Sequence, residues 1–169
     1  MLVSTISSAQ DYPACNIVKS KPVSFRTHNS NDYLQISVIG TPCYKASLRI
    51  TLKSGQGELI YSYESDYIRH TVNHWTEMDF AQAATDHVDG MLVRAVKKSS
   101  SLPDSSYVCF KEQSECMYDQ SSEFSIAQYS QVRARNVPVL GHPTYHEGGK
   151  AFIFDLDTNK IIEVLDWGA

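Results

Sequence analysis

The most regular pattern in the chain is an alternation of apolar and polar residues from Tyr44 to Leu52. Successive side chains of a strand point to opposite faces, so this pattern predicts a half-buried strand with a cationic face in water. Similar alternation from Leu34 to Val38 predicts a strand before it. After turn-forming residues at 54–57, strand character resumes from Leu59 to Tyr63. These segments predict an antiparallel meander.

The apolar period changes after Thr76, where Phe80, Ala84, Val88, Met91 and Ala95 recur every three or four residues. That spacing is typical of an amphipathic helix. Thr76 and Asp79 have the spacing of a capping box, with Asp in place of the usual longer acid. Lys97-Lys98 would complement the dipole at the far end. The prediction is one helix of about five turns.

Short strands are predicted in the second half of the chain. Tyr107 to Phe110 and the stretch after Met117 have strand character, and they follow a loop of turn-forming residues at 99–106. Phe124 to Ala127 and Gln131 to Leu140 are also predicted as short strands.

A hairpin is predicted near the C-terminal end of the sequence. Its strands are Ala151 to Leu156 and Ile161 to Leu165, joined by an Asx-type turn at 157–160. No repeat or long linker interrupts the chain. We therefore predict a single α+β domain over residues 10–169, a predominantly antiparallel sheet with one main amphipathic helix packed on one face.

Residues 1–9 are small and apolar and end in Ser7-x-Ala9, which resembles a signal-peptidase site. We interpret them as a signal-peptide remnant; the alternative is a disordered N-terminus. Four cysteines, Cys15, Cys43, Cys109 and Cys116, include no Cys-x-x-Cys motif. Pairing of sequence neighbours, Cys15 with Cys43 and Cys109 with Cys116, is one hypothesis, beside two other pairings and a reduced protein. An even cysteine count favours an extracytoplasmic protein, periplasmic or secreted.

Composition narrows the function classes. The chain has 42% hydrophobic residues, 15 basic against 19 acidic residues and a net charge of −4. Its basic stretches are short: Lys97-Lys98, interpreted as a helix end, and Arg133-Ala-Arg135, interpreted as the solvated face of a strand. A nucleic-acid partner is therefore not expected. No segment has the ~20 continuous apolar residues of a membrane-spanning helix.

Histidines offer the one candidate catalytic constellation. His70-x-x-x-His74 would place two imidazoles on one helix face, and His87 or His146 would complete a zinc site. His142 stands four residues before His146. Thr71 follows His70, so the His-Glu-x-x-His hydrolase signature is missing, and β-branched residues after His70 disfavour a helix.

Motifs for a nucleophilic hydrolase or a phosphate-binding loop are missing from the sequence. By analogy of class, we predict a non-catalytic secreted or periplasmic binding protein, inhibitor-like or immunity-like, without a cofactor. Its protein partner would contact the segment between Cys109 and Cys116 and the loop before it. The predicted contact residues are Asp104, Tyr107, Lys111, Glu112 and Glu115. The alternative is a metal-binding protein or metal-dependent hydrolase that uses zinc.

Overall fold

A computed structural model describes residues 13–71, 80–113 and 115–168 of the chain. In these ranges, ten strands form two sheets and two α-helices accompany them. The predicted signal remnant, the capping box at Thr76 and Asp79, and His74 lie outside the described residues. The α+β class and the predominantly antiparallel pairing are confirmed. The described residues form two sheets where one is predicted, and a second helix accompanies the predicted main one.

The first sheet is the antiparallel meander that the alternation predicts, extended by one strand. Its strands lie side by side in chain order. Leu48, Ile50 and Leu52 are fully buried, whereas Arg49 and Lys53 face solvent, as expected for a half-buried strand. The first strand lies outside every predicted element. The bounds are β1 Cys15–Val23, β2 Asp32–Gly40, β3 Ser47–Lys53 and β4 Leu59–Asp66.

The second sheet contains six strands in the order β5-β8-β9-β10-β7-β6, and only β6 and β7 are parallel among its pairs. The predicted hairpin is confirmed as β9 and β10, where Asp155 accepts a hydrogen bond from Thr158 and Asn159 has a φ of 55°. The bounds are β5 Val96–Lys98, β6 Cys109–Phe110, β7 Gln120–Ser122, β8 Pro138–Pro143, β9 Gly149–Asp155 and β10 Lys160–Trp167.

The predicted amphipathic helix is confirmed over α1, Phe80–Arg94, which contains 15 residues and makes about four turns. It buries Phe80, Ala84, Val88 and Met91. Lys97-Lys98 belongs to β5 and is not a helix end.

A second helix, α2, spans Ile126–Arg135 where short strands are predicted. The strand prediction is wrong for residues 126–135, because Ser125 and Gln128 form a reciprocal capping box that starts a helix. The end of the predicted segment Gln131 to Leu140 is strand, as the first part of β8. Tyr129 and Val132, three residues apart, then pack on one face. Arg133 and Arg135 therefore lie in the last helical turn and not on a strand. No helix among the described residues is long and apolar enough to cross a bilayer.

Two hydrophobic clusters hold the elements together. One lies between the first sheet, α1 and part of the second sheet, where Phe25 meets Phe154 and Tyr61 meets Phe152. The other lies between α2 and the second sheet. Both predicted disulfides are confirmed, Cys15–Cys43 and Cys109–Cys116.

Candidate functional site

A cleft of about 540 Å³ lies on the second sheet, beside the C-terminal half of α1. It shares Val139, Ala151 and Leu165 with the hydrophobic cluster under α2. Gly141 and Ala151 are register partners on neighbouring strands, so the cleft has small side chains side by side on its floor. A Cβ added to Gly141 would meet only the Lys150 carbonyl oxygen, at 3.9 Å. The absence of large side chains here leaves the space open.

The cleft is basic although the chain carries a net charge of −4. Arg94 and Lys97 line it, together with three histidines, His87, His142 and His146, and none of its described lining residues is Asp or Glu. Neither cation forms an ion pair with a described carboxylate. The positive charge of the cleft is therefore not neutralised from within the described chain.

The position of Arg94 depends on a glycine one helical turn earlier. A Cβ on Gly90 would come within 2.9 Å of Nη2 of Arg94, so the guanidinium packs over the bare backbone. Burial lowers the pKa of His87, and the nearby Arg94 charge lowers it further. The histidine beside the cation is consequently neutral near pH 7.

His142 connects the cleft to the interface between the sheets. Its Nδ1 lies 2.9 Å from the Pro143 carbonyl oxygen, which only accepts hydrogen bonds, so Nδ1 carries the proton. Nε2 is then an acceptor, and the Tyr61 hydroxyl donates to it at 2.5 Å. Phe152 stacks on the imidazole at 5.7 Å between ring centroids. Burial lowers the pKa of His142 and raises that of Tyr61 above its usual range.

His70 lies deeper, with 6% of its surface exposed. Its Nε2 is 2.6 Å from the Ser65 hydroxyl, and its Nδ1 is buried without a partner among the described residues. Burial lowers the pKa of His70 to about 4, with smaller contributions from His87, His142 and Arg69. The imidazole is therefore neutral in the folded protein near pH 7.

The structure brings some of the predicted zinc ligands together. The rings of His70 and His87 are 6.3 Å apart, and His87 and His146 both line the cleft. His70 ends a short 3-10 helix, Tyr67–His70, and Thr71 is extended. Within ranges 13–71, 80–113 and 115–168, no group of three His, Cys, Asp or Glu residues has the geometry to hold a metal. His74 lies outside these ranges.

The segment closed by Cys109–Cys116 forms a second candidate site on the surface. Lys111, Glu112 and Glu115 are exposed there, as the sequence predicts. Met117, immediately after the disulfide, is 97% exposed, and Tyr107 and Tyr118 are 59% and 50% exposed. The two tyrosine rings meet edge to face at 6.0 Å. We call Tyr107, Met117 and Tyr118 the Met117 surface.

Asp104 lies beside this surface with its carboxylate already partnered. Its Oδ1 accepts hydrogen bonds from the backbone and the hydroxyl of Ser106, and its Oδ2 pairs with Arg133 at 2.9 Å. These contacts lower the pKa of Asp104, the Ser106 backbone bond most of all. Asp104 therefore anchors the loop to α2.

Sequence reasoning missed Arg94, Met117, Tyr118 and Trp167. The sequence does contain an indication of the exposure of Met117, because this large apolar residue lies among charged residues beside a cysteine. Arg94 and Trp167 had no such signal, because they lie in α1 and β10, far apart in the sequence, and only the fold brings them to the same cleft. Comparison with known protein families, with curated proteins and with solved structures finds no match.

Proposed function

We propose that this chain is a non-catalytic, extracytoplasmic binding protein that holds a protein partner with the Met117 surface. The observation that supports it most directly is the 97% exposure of Met117 next to a pair of half-exposed tyrosines. Met and Tyr are enriched in the centres of protein interfaces, where a few such side chains supply most of the affinity. Large apolar side chains grouped on a surface are typical of interaction sites.

The disulfide supports this proposal in two ways. Disulfides persist in oxidising compartments, which favours a periplasmic or secreted location. Cys109–Cys116 also closes a short segment directly before Met117. A tethered segment loses less conformational entropy on association than a free loop, so binding is stronger for the same contacts.

The charges around the Met117 surface indicate the chemistry of the partner. Four acidic side chains close to Met117 in the sequence are exposed: Glu112, Glu115, Asp119 and Glu123. The ammonium of Lys111 lies 3.9 Å from the carboxylate of Glu123. The complementary partner presents an apolar pocket for Met117 with basic side chains at its rim.

The test is capture from an extracytoplasmic extract of the source cells on immobilised protein, followed by affinity measurement with the captured partner. Met117→Asp places a charge at the centre of the surface and should weaken binding by about 30-fold, the equivalent of a 2 kcal/mol hot spot. Leu156→Asp is the matched control, because Leu156 is 57% exposed in the β9–β10 turn. Equal affinity of wild type and Met117→Asp would refute the proposal.

A second experiment tests the role of the disulfide alone. In Cys109→Ala with Cys116→Ala, we expect the fold to survive and the affinity for the captured partner to fall. An unchanged affinity would show that the disulfide does not contribute to binding of the partner.

The second candidate function is metal binding, and one observation favours it. His70 Nδ1 is buried without a described partner, and the ring of His87 is 6.3 Å from that of His70. A zinc ion would need more ligands than His70 and His87, and the sequence predicts His74 as one of them. The test is the metal content of untagged protein purified without chelator. Stoichiometric zinc that is lost in His70→Ala with His74→Ala supports this function, and no zinc in the wild type refutes it.

A further inference from the structure

We propose that the cleft on the second sheet binds a small organic anion with an apolar body. Arg94 and Lys97 would hold the acidic group, and the apolar part would pack against Met91, Leu102 and Trp167. This site is distinct from the Met117 surface and does not depend on the proposed protein partner.

The size and lining of the cleft favour a small molecule. Its volume of about 540 Å³ lies within the range of roughly 300–1,000 Å³ that is usual for small-molecule sites. Its lining combines apolar side chains, among them Met91, Leu102 and Trp167, with a comparable number of polar and charged ones, so it offers an apolar surface and polar contacts to the same ligand. The floor at Gly141 and Ala151 gives a flat apolar body direct access to the sheet.

The charges decide the class of ligand. Two cations without a described ion-pair partner line the cleft, and no described carboxylate lies among its lining residues to repel an anion. A guanidinium and an ammonium on neighbouring elements, the end of α1 and β5, can share one carboxylate, sulfonate or phosphate group. Both side chains are solvent-exposed, so water screens them in the empty cleft, and an anionic group would gain an attraction that a neutral or cationic ligand would not.

Gln120 also lines the cleft, but its Oε1 is buried with no hydrogen-bond partner in the described chain. A ligand in the cleft cannot reach an atom that has no accessible surface, so Gln120 sets no requirement on the ligand. The favoured ligand is therefore an amphiphilic anion.

Two fluorescent probes with the same skeleton test the proposal. 1-Anilinonaphthalene-8-sulfonate is an apolar anion with an N–H donor, and N-phenyl-1-naphthylamine is its neutral counterpart without the sulfonate. We expect one sulfonated probe per chain, bound at least about tenfold tighter than the neutral one and weakened by added salt. Equal affinities, several weak sites per chain or no binding would overturn the proposal.

Charge variants test the assignment of the site. Arg94→Gln with Lys97→Gln should reduce the affinity for the sulfonated probe at least about tenfold and leave the neutral probe unchanged. Lys53→Gln with Lys160→Gln removes two exposed cations elsewhere and should change neither affinity. An unchanged affinity in the Arg94 and Lys97 variant would show that the anion binds at another place.

A space-filling variant provides an independent test. Gly141→Leu places a side chain in the open floor without requiring a positive φ, and it should abolish binding of both probes. Gly141→Ala, which adds one methyl group, is the matched control and should retain most of the affinity. Equal urea midpoints of the two variants establish that the loss is local. Full binding by a folded Gly141→Leu variant would refute the proposal.

Discussion

The Tyr61 hydroxyl donates a hydrogen bond of 2.5 Å to Nε2 of His142, and this bond joins the last strand of the first sheet to the second sheet. This bond requires the His142 tautomer that carries its proton on Nδ1. The Nδ1–H group then donates a hydrogen bond to the Pro143 carbonyl oxygen. We expect long-range ¹H–¹⁵N NMR spectra to show a neutral, Nδ1-protonated His142 at pH 7. A protonated Nε2 would contradict this arrangement.

Tyr61→Phe should lower the free energy of unfolding by about 1–3 kcal/mol, because it leaves a buried acceptor without a partner. Tyr63→Phe is the control, since the Tyr63 hydroxyl donates at 3.0 Å to the Thr144 carbonyl oxygen and belongs to the same strand. We expect a smaller loss there. Urea unfolding of both variants measures the difference.

Acidification should destabilise the fold between about pH 6.5 and pH 4. Burial lowers the folded-state pKa of His70 to about 4, while the unfolded imidazole titrates near 6.5. The unfolded state therefore binds a proton first, and stability present above pH 6.5 is lost as the pH falls towards 4. His70 alone accounts for roughly 3 kcal/mol as an upper bound. His87 and His142 act in the same direction.

The measurement is the urea midpoint of wild type and His70→Gln from pH 7.5 to pH 4.5. The variant removes one titrating group, so its curve should be flatter across this interval. His28 is exposed, and His28→Gln serves as the control for replacing a histidine at the surface. Parallel curves for wild type and His70→Gln would contradict the assignment.

Asp32 organises the connection between β1 and β2. Its buried carboxylate accepts hydrogen bonds from the Arg26 backbone and side chain and from Ser30, and Arg26 pairs with it at 2.9 Å. Burial alone would raise the pKa of Asp32, but these contacts lower it overall. Asp32→Asn should cost about 2–3 kcal/mol in urea unfolding, because charged hydrogen bonds are lost. Asp66→Asn, at an exposed position, should cost little.

The capping box of α2 gives a further prediction. Ser125 accepts from the backbone of Gln128, so Ser125→Ala should lower stability by about 1 kcal/mol. Ser130 is exposed inside the same helix, and Ser130→Ala is expected to be neutral or slightly stabilising. An equal effect of both substitutions in thermal unfolding would contradict the role of the cap.

The elements that sequence reasoning identified correctly are those with a local pattern. Strand β3 alternates buried and exposed side chains along its length, and α1 repeats its apolar residues on one face. In α2 only Tyr129 and Val132 are buried, so its apolar stripe is too narrow to show a helical period. The capping box formed by Ser125 and Gln128 is the local signal for this helix.

The candidate sites depend on tertiary contacts that local patterns do not contain. The residues that line the cleft are spread along the sequence from His87 to Trp167. Its floor is free of large side chains because Gly141 and Ala151 lie side by side on two different strands. Lys97 was interpreted as a helix-capping charge, although it belongs to a strand at the cleft.

The two disulfides also bear on how the chain matures. Cys15 pairs across 28 positions and Cys109 across 7, and neither loop encloses a cysteine of the other pair. Chain closure favours short loops, so the first collisions in the unfolded chain favour the native pairs over the two crossed or nested alternatives. Oxidative folding should therefore proceed with a simple oxidant, since few wrong bridges need to be reshuffled.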